Sequence, residues 1–232
     1  MPTTRINDPR LAPAYSTAEA AQYLRMPPET LRSWIAGRIY TVAGHPKRSA
    51  PLIRLDDPKK QFLSFLNLVE AHILAAIRRR HNIGLPNVRK ALAYVKRDFH
   101  IDRPLIDQAF QTDGLDLFVE RYGELINASQ DGQRAMKEMI GVYLKRIDRD
   151  SKGLPIRLFP FTRDSQSESA PATDPRIVVL NPAVSFGRPA ITGTGIPVQA
   201  VYERYKAGDS VVDLAHDFRL EISAVEEAIR AA

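Results

Sequence analysis

The sequence predicts a mainly helical protein with small β elements, of the α+β class. Three observations predict this class. Residues 15–35 contain two short helical segments separated by Pro27-Pro28. Apolar residues then recur at helical spacing between Phe62 and Phe99, and a glycine-containing stretch near residue 190 precedes three more helical segments. We therefore expect a winged helix-turn-helix first, a small α/β module next and a C-terminal trihelical unit with a short β-hairpin.

The first two helices carry clear start signals. Ser16 with Glu19 three residues later predicts a capping box, and Pro28 fits the first turn of the second helix. Ala18, Ala21 and Leu24 should face inward in the first helix, as should Leu31, Trp34 and Ile35 in the second. The second helix then has an outward face of Glu29, Thr30, Arg32 and Ser33. A short helix with a polar, arginine-bearing outer face is typical of a DNA-reading helix-turn-helix, although a helical hairpin in a globular core fits too.

A β-hairpin wing is expected after Gly37. Ile39, Tyr40 and Val42 predict one strand, and Leu52, Ile53 and Leu55 predict the other. Gly44, Lys47 and Arg48 would then lie at a basic tip. From this placement we predict DNA contacts by the outer face of the second helix, by the wing and by the start of the first helix: Ser16, Thr17, Thr30, Arg32, Ser33, Arg38, Tyr40, Lys47 and Arg48.

The next segments have helical periodicity. Asp56, Asp57 and Pro58 predict the start of a long helix that ends at Arg78-Arg79-Arg80, and Leu85-Pro86 opens another that runs to Phe99. Between 101 and 162 we predict short strands at 115–119 and 125–126, a helix over 133–147 and a strand within 153–161. Residues 163–175 have a linker composition rich in Ser, Pro and acidic residues.

Four units follow from these patterns. They are a DNA-binding domain at 1–100, an α/β dimerisation or packing module at 101–162, a linker at 163–175 and a trihelical domain at 176–232. In the last unit, Pro197 should open a helix through Tyr205, Asp209 or Ser210 should cap the next, and Ser223 should cap the last.

Charge is distributed unevenly along the chain. Residues 1–100 hold 17 Lys and Arg against 7 Asp and Glu, whereas the remainder holds 16 against 20, so that the net charges are +10 and −4. Residues 176–232 hold 6 against 7. The first half therefore suits double-stranded DNA, and the tail lacks the cations that an unaided grip on DNA needs.

Composition also excludes several classes of site and of protein. There is no cysteine, so disulfides and thiolate metal sites are excluded. No apolar run is long enough for a membrane span and no signal peptide is evident, which predicts a cytoplasmic protein. We find no phosphate loop, nucleophile elbow or histidine pair with metal-ligand spacing, and hence predict neither an enzyme nor a cofactor or metal. The acidic residues between Asp107 and Glu120 are expected to face solvent rather than form a nuclease centre.

Two resemblances follow from the motifs. The order helix-turn-helix, wing, long helix and further helix across 15–99 resembles the winged DNA-binding domain of MerR regulators, with Arg38 and Tyr40 near the start of the wing. The sequence Asn181-Pro-Ala-Val-Ser-Phe-Gly-Arg-Pro-Ala-Ile-Thr-Gly-Thr-Gly-Ile-Pro-Val198 resembles domain-of-unknown-function family 433. That family implies a homeodomain-like trihelical unit. Gly195 stands where the family usually has arginine, so any contact made by that arginine is lost.

The second family is similar to antitoxins of the VapBC type, which are encoded beside PIN-like ribonuclease toxins. This resemblance implies autoregulation at an operator and neutralisation of a toxin whose magnesium lies among carboxylates. Arg188, Tyr202 and Tyr205 are the candidate toxin contacts, and Phe218 is expected to fill the core. A homodimer on a palindromic site is expected, because one short reading helix spans few base pairs. Two alternatives stay open: a MerR-like regulator without a toxin partner, and a protein-binding inhibitor whose basic first half is incidental.

Overall fold

The computed structural model describes residues 8–42, 44–57, 61–79, 85–162 and 174–232, and it confirms the α+β class. The α-helices of this part of the chain are α1 (Thr17–Tyr23), α2 (Pro28–Ala36), α3 (Phe65–Arg79), α4 (Leu85–Asp98), α5 (Asp113–Ile126), α6 (Gln130–Leu144), α7 (Val198–Lys206), α8 (Val211–Phe218) and α9 (Ile222–Ala231). Three antiparallel strand pairs accompany them: β1 (Ile39–Val42) with β2 (His45–Arg48), β3 (Ile147–Arg149) with β4 (Pro155–Leu158), and β5 (Val178–Val179) with β6 (Ala190–Ile191). Over the described ranges, no helix is both long and apolar enough to cross a membrane.

The helix-turn-helix forms as its local signals predict. The Glu19 N–H donates to Ser16 Oγ at 3.2 Å, and the Ser16 N–H donates back to Glu19 Oε2 at 2.9 Å, which completes the capping box. Pro28 occupies the first turn of α2, and Leu31 and Trp34 are buried. In α1, Ala21 and Leu24 are buried as predicted, whereas Ala18 is exposed and Ala20 is buried in its place.

The wing is shorter than the sequence predicts. β1 pairs with His45–Arg48 and not with 52–55, in a register that sets Ile39 opposite Arg48 and Tyr40 opposite Lys47. Gly44, at φ +80°, supplies the tight turn that this short hairpin needs. The segment after the wing docks on α2 instead, where the N–H groups of Leu52 and Ile53 donate to the Trp34 carbonyl at 2.7 and 3.1 Å. Lys47 and Arg48 therefore lie along a strand and not at the tip.

The long helix begins later than predicted. Pro58 lies outside the described residues, and α3 begins at Phe65 with Ser64 Oγ accepting the Asn67 N–H at 3.2 Å. Leu63, just before it, exchanges backbone hydrogen bonds with Tyr15 at 2.7 and 3.0 Å. This pairing places Leu63 in a β-bridge, so a helix from Asp56 or Asp57 cannot continue through residue 63 into α3.

The predicted strands at 115–119 and 125–126 are wrong, since both belong to α5. Leu115, Phe118, Val119 and Tyr122 are all buried and follow helical spacing. The local alternation of Leu, Asp, Leu and Phe imitates a strand, but packing against α4 selects the helix. The other boundaries shift modestly: α6 spans 130–144, so that Ile147 begins β3, and β4 is confined to 155–158.

The C-terminal helices match expectation closely. α7 follows Pro197, and Ser210 caps α8 by accepting the Asp213 N–H at 3.1 Å. Ser223 does not cap α9, which begins at Ile222 after Glu221. These helices and β5–β6 enclose their own apolar cluster, which includes Val178, Val201, Leu214, Val225 and Ala228. Residues 163–173 of the predicted linker lie outside the described residues.

A buried arginine joins the middle of the chain to its C-terminal part. The guanidinium of Arg146, only 5% exposed, donates to the carbonyl oxygens of Phe159, Pro160, Asp174 and Pro175 at 2.6–3.1 Å. Nearby, the Thr162 N–H donates to Asp174 Oδ2 at 2.7 Å, and the Thr162 hydroxyl contacts Glu227 of α9. The two ends of the 163–173 segment are thereby fixed side by side.

Replacing this arginine should destabilise the protein strongly. Arg146→Ala leaves several buried carbonyls without donors, and we expect it to lower the free energy of unfolding by about 3 kcal/mol or more. Arg157→Ala is the matched control, because Arg157 is half exposed and its nearest carboxylate is 3.8 Å away. The control should stay within about 0.5 kcal/mol of the parent in urea unfolding. Equal losses in both variants would contradict this account of the junction.

Candidate nucleic-acid interface

The outer face of α2 and the root of the wing form one open, basic depression of about 460 Å³. The predicted residues Thr30, Arg32, Ser33 and Arg38 line it together. Arg78, at the end of α3, also lines it and was missed as a site residue. Its signal in the sequence is the Arg78-Arg79-Arg80 run, which by itself indicates only the end of a helix.

The charges in this depression are accessible. The Arg32 side chain is 57% exposed and pairs with Glu29, itself 78% exposed, in an i, i+3 contact. Exposed pairs of this kind contribute little stability, so a phosphate or a base edge can replace the carboxylate at small cost. Ser33 Oγ donates to the Thr30 carbonyl at 2.7 Å, which orients its hydroxyl along the helix.

The wing residues divide by role. Lys47 is exposed on β2, whereas Arg48 donates from Nη2 to the Ala36 carbonyl at 3.2 Å and so satisfies the end of α2. On the opposite strand Ile39 is 75% and Tyr40 is 48% exposed, which leaves their side chains available for contact. Of this group, Lys47 is the better candidate for a simple phosphate contact.

Ser16 and Thr17 lie at the start of α1 and do not line the depression. The Ser16 hydroxyl both donates to and accepts from Glu19, so the cap already uses its hydrogen-bonding capacity. These hydrogen bonds from Ser16 lower the pKa of Glu19, and Arg188 adds a smaller effect in the same direction.

Gly37 sets the angle between α2 and the wing. Its φ of +76° and ψ of −178° belong to a region that is essentially restricted to glycine. A Cβ there would lie 2.1 Å from the Ser49 carbonyl oxygen. The Ser49 N–H in turn donates to the Arg38 carbonyl at 2.8 Å, so the strand root and the helix end approach too closely for any side chain.

A second surface surrounds the predicted contact Arg188. Arg188 is exposed beside a cavity of about 600 Å³ between the loop 185–189, the start of α7 and α1. Phe186, a residue that the sequence analysis missed, is 93% exposed at φ +54° in the same loop. Tyr202 and Tyr205 lie further along α7 and do not line this cavity, and Tyr205 is 43% exposed. Phe218 packs against the C-terminal core, as predicted.

The loop that presents Phe186 is held firmly. The buried Tyr15 hydroxyl donates to the Gly187 carbonyl at 2.8 Å, and burial raises the pKa of Tyr15, so the phenol stays protonated. Ser185 Oγ donates to the Gly195 carbonyl at 2.9 Å. The exposed aromatic ring therefore stands on a backbone that is fixed at both ends.

Within the described ranges, no group of three or more histidine or acidic side chains is placed to hold a metal ion. Two of the acidic residues of the middle segment make ordinary structural contacts. Asp107 accepts the Ala109 N–H at 2.8 Å, and Asp116 pairs with Lys137.

Two family models match parts of the chain. Residues 13–92 match a family described as "Putative DNA-binding HTH domain", and residues 178–231 match one described as "Protein of unknown function (DUF433)". The predictions of a helix-turn-helix and of a family 433 unit are thereby confirmed.

Similarity to whole proteins extends along nearly the full chain. "Putative antitoxin VapB45" of Mycobacterium tuberculosis (strain ATCC 25618 / H37Rv) is 29% identical, over 94% of this chain and 93% of that protein. "Uncharacterized protein Rv2308" of the same strain is 23% identical, over 93% and 88% respectively. The crystal structure of Rv2018 from Mycobacterium tuberculosis aligns with a TM-score of 0.66, at 21% identity, over 94% of this chain and 98% of that one, which supports the fold.

Substituting Gly37 and Gly44 separately should show how much the close approach between Gly37 and Ser49 restricts the residue at the root of the wing. Gly37→Ala adds both backbone strain and a clash with Ser49, and we expect it to lower the free energy of unfolding by about 3 kcal/mol. Gly44→Ala also faces a positive φ, but its Cβ would meet no described atom within 4 Å, so about 1 kcal/mol is expected. Urea unfolding measures both. A Gly44 variant at least as destabilised as the Gly37 variant would show that the close approach to Ser49 is unimportant.

Proposed function

We propose that this chain is a cytoplasmic, DNA-binding antitoxin that represses its own operon and neutralises a PIN-like ribonuclease. The observation that carries the proposal is the exposed arginine face of α2 inside a region that matches a DNA-binding helix-turn-helix family. The similarity to a protein named as an antitoxin, which extends along nearly the full chain, supports the second role. Neither role requires catalysis, a metal or a cofactor.

On DNA, the proposal assigns a MerR-like arrangement. α2 enters the major groove with Arg32 at a base edge, and the wing contacts phosphates through Lys47. Arg38 and Arg78 line the same depression and add positive charge beside the backbone. Two chains bind a palindromic operator, since one helix as short as α2 specifies too few base pairs.

Three substitutions distinguish base-specific contacts from non-specific electrostatic attraction to the DNA phosphates. Arg32→Ala should cost about 1–3 kcal/mol of operator affinity and relax sequence preference, because it removes a base contact. Lys47→Ala should weaken binding to all DNA sequences alike, and it should reduce the slope of log affinity against log salt concentration by about 1. Glu29→Gln should tighten binding, since it removes the carboxylate that competes for Arg32. Fluorescence anisotropy with operator and scrambled duplexes measures affinity, salt slope and stoichiometry together.

Unchanged affinity in both the Arg32 and Lys47 variants would overturn this placement. Loss of affinity that is equal for operator and scrambled DNA in the Arg32 variant would reduce its role to a phosphate contact. A complex with one chain per operator would reject the dimer.

For the toxin, the proposal assigns the loop that carries Phe186 and Arg188. A fixed, exposed aromatic residue beside an exposed arginine matches the composition of interface hot spots. The carboxylates around a PIN-like active site would attract the guanidinium. Tyr202 and Tyr205 would then extend the contact along α7.

Phe186→Ser should weaken binding to the ribonuclease encoded beside this chain by about 2 kcal/mol or more, since it removes a buried anchor from the complex. Arg188→Ala should weaken it as well and reduce its salt dependence. Val212→Ser is the matched control, because Val212 is 63% exposed on α8 and lies outside the Phe186 loop. Titration calorimetry with the full-length chain gives the affinities. Equal losses in all three variants would reject this surface, and no binding by the parent chain would leave a DNA-binding regulator without a toxin partner.

A further inference from the structure

An open cleft of about 590 Å³ lies between the chain that follows the wing, α4 and the turn before residue 105. It is separate from both surfaces described above and shares no lining residue with either. Both charged and apolar side chains line it.

Most of the charged residues in the cleft pair with one another. Arg103 donates from Nε and Nη2 to the two carboxylate oxygens of Glu70 at 3.0 and 2.7 Å, and from Nη1 to Asp56 at 3.0 Å. Lys96 pairs with Asp102 at 2.9 Å. These five charged groups therefore largely neutralise one another.

Two arginines remain outside these hydrogen bonds. Arg54 and Arg89 both line the cleft, and neither donates a side-chain hydrogen bond to any residue that the structure describes. Arg54 interacts with Asp102 only through a longer-range electrostatic attraction. Nε of Arg89 is in addition withdrawn from solvent without an acceptor. A buried donor without a partner is costly, so a rotation of the Arg89 side chain toward an acceptor in the cleft would be favoured.

The remaining lining is apolar. Leu52 and Leu55 approach from the segment after the wing, Leu92 and Ala93 from α4, and Leu105 from the following turn. Guanidinium groups suit a planar carboxylate, and an apolar wall suits a hydrocarbon or aromatic body. We propose that this cleft binds a small amphipathic anion, a carboxylate carried on an aromatic or branched aliphatic group.

The balance of charge favours a small ligand over DNA at this site. Asp56, Glu70 and Asp102 line the same cleft as the arginines, and a polyphosphate backbone would be repelled by them. A small ligand with a single carboxylate adds only one negative charge, which the positive charges of Arg54 and Arg89 can offset. The segment that carries Leu52 also hydrogen-bonds to α2 through the Trp34 carbonyl, so a bound ligand would contact the chain that supports the reading helix.

Benzoate is a suitable probe, with benzamide as its neutral counterpart and inorganic phosphate as an anion without an apolar body. Titration calorimetry with the full-length chain should detect benzoate and neither of the other two. Arg89→Gln and Arg54→Gln should each weaken benzoate binding about tenfold or more, because each removes a charged hydrogen-bond donor. Lys90→Gln, on the exposed side of α4 next to Arg89, should leave binding unchanged.

Circular dichroism and thermal unfolding establish that each variant is folded, and Arg54→Gln keeps the test valid if Arg89→Gln unfolds. The proposal is wrong if benzoate does not bind, if benzamide binds equally well, or if the Lys90 variant loses as much affinity as the other two. Absence of benzoate binding together with weaker DNA binding in both arginine variants would reassign the cleft to DNA phosphates.

Discussion

The burial of one guanidinium group, that of Arg146, constrains the rest of this structure. A cation withdrawn from water is tolerated only where fixed dipoles replace its hydration, and here four carbonyl oxygens do so. Burial lowers the pKa of Arg146, yet an arginine side chain remains protonated. Two of the carbonyls precede the 163–173 segment and two follow it, so the charge can be satisfied only when both flanks are in place.

This requirement fixes the C-terminal part of the chain on the first part. The Leu158 and Leu180 backbones exchange hydrogen bonds at 2.8 and 3.0 Å beside the arginine, which extends the junction by a β-bridge. On the other side, Tyr15 donates to Gly187, and a side chain at Gly187 would collide with the Tyr15 hydroxyl. The loop with Phe186 and Arg188 is consequently positioned by Tyr15, the same residue that lies just before α1.

The folded structure decides which positive charges of the basic first half remain available to a partner. Some of the cations in this half are neutralised within the fold: Arg10 by Asp8 and Asp150, and Lys96 by Asp102. Among the residues that the structure describes, Arg32, Arg38 and Arg78 leave positive charge at the depression beside α2, and Arg54 and Arg89 leave it at the cleft beside α4. The net charge of each half of the chain predicts the class of partner. Only the ion pairs within the folded protein show which Lys and Arg side chains are free to contact that partner.

Local chemistry was sufficient to predict the elements whose signals lie within one turn. Ser16 and Glu19 act on backbone groups three residues away, and Pro28 acts through its own fixed φ, so both signals were predicted correctly. For α8 the sequence left Asp209 and Ser210 as alternatives, and Ser210 is the cap. The inward face of α2 and the three C-terminal helices follow from apolar spacing.

Tertiary contacts decided the remainder. His45–Arg48 has no strand signature and contains a proline, yet it pairs with β1 because the chain beyond it is drawn onto α2. Residues 115–119 read as a strand in isolation and become helix against α4. Groups far away in sequence also decide how side chains are placed. They determine that Phe186 is exposed, that Arg146 is buried and that Arg89 Nε has no hydrogen-bond partner among the described residues. A sequence specifies local hydrogen-bond geometry, but the partner of a side chain is a property of the packed molecule, because distant residues become neighbours only on folding.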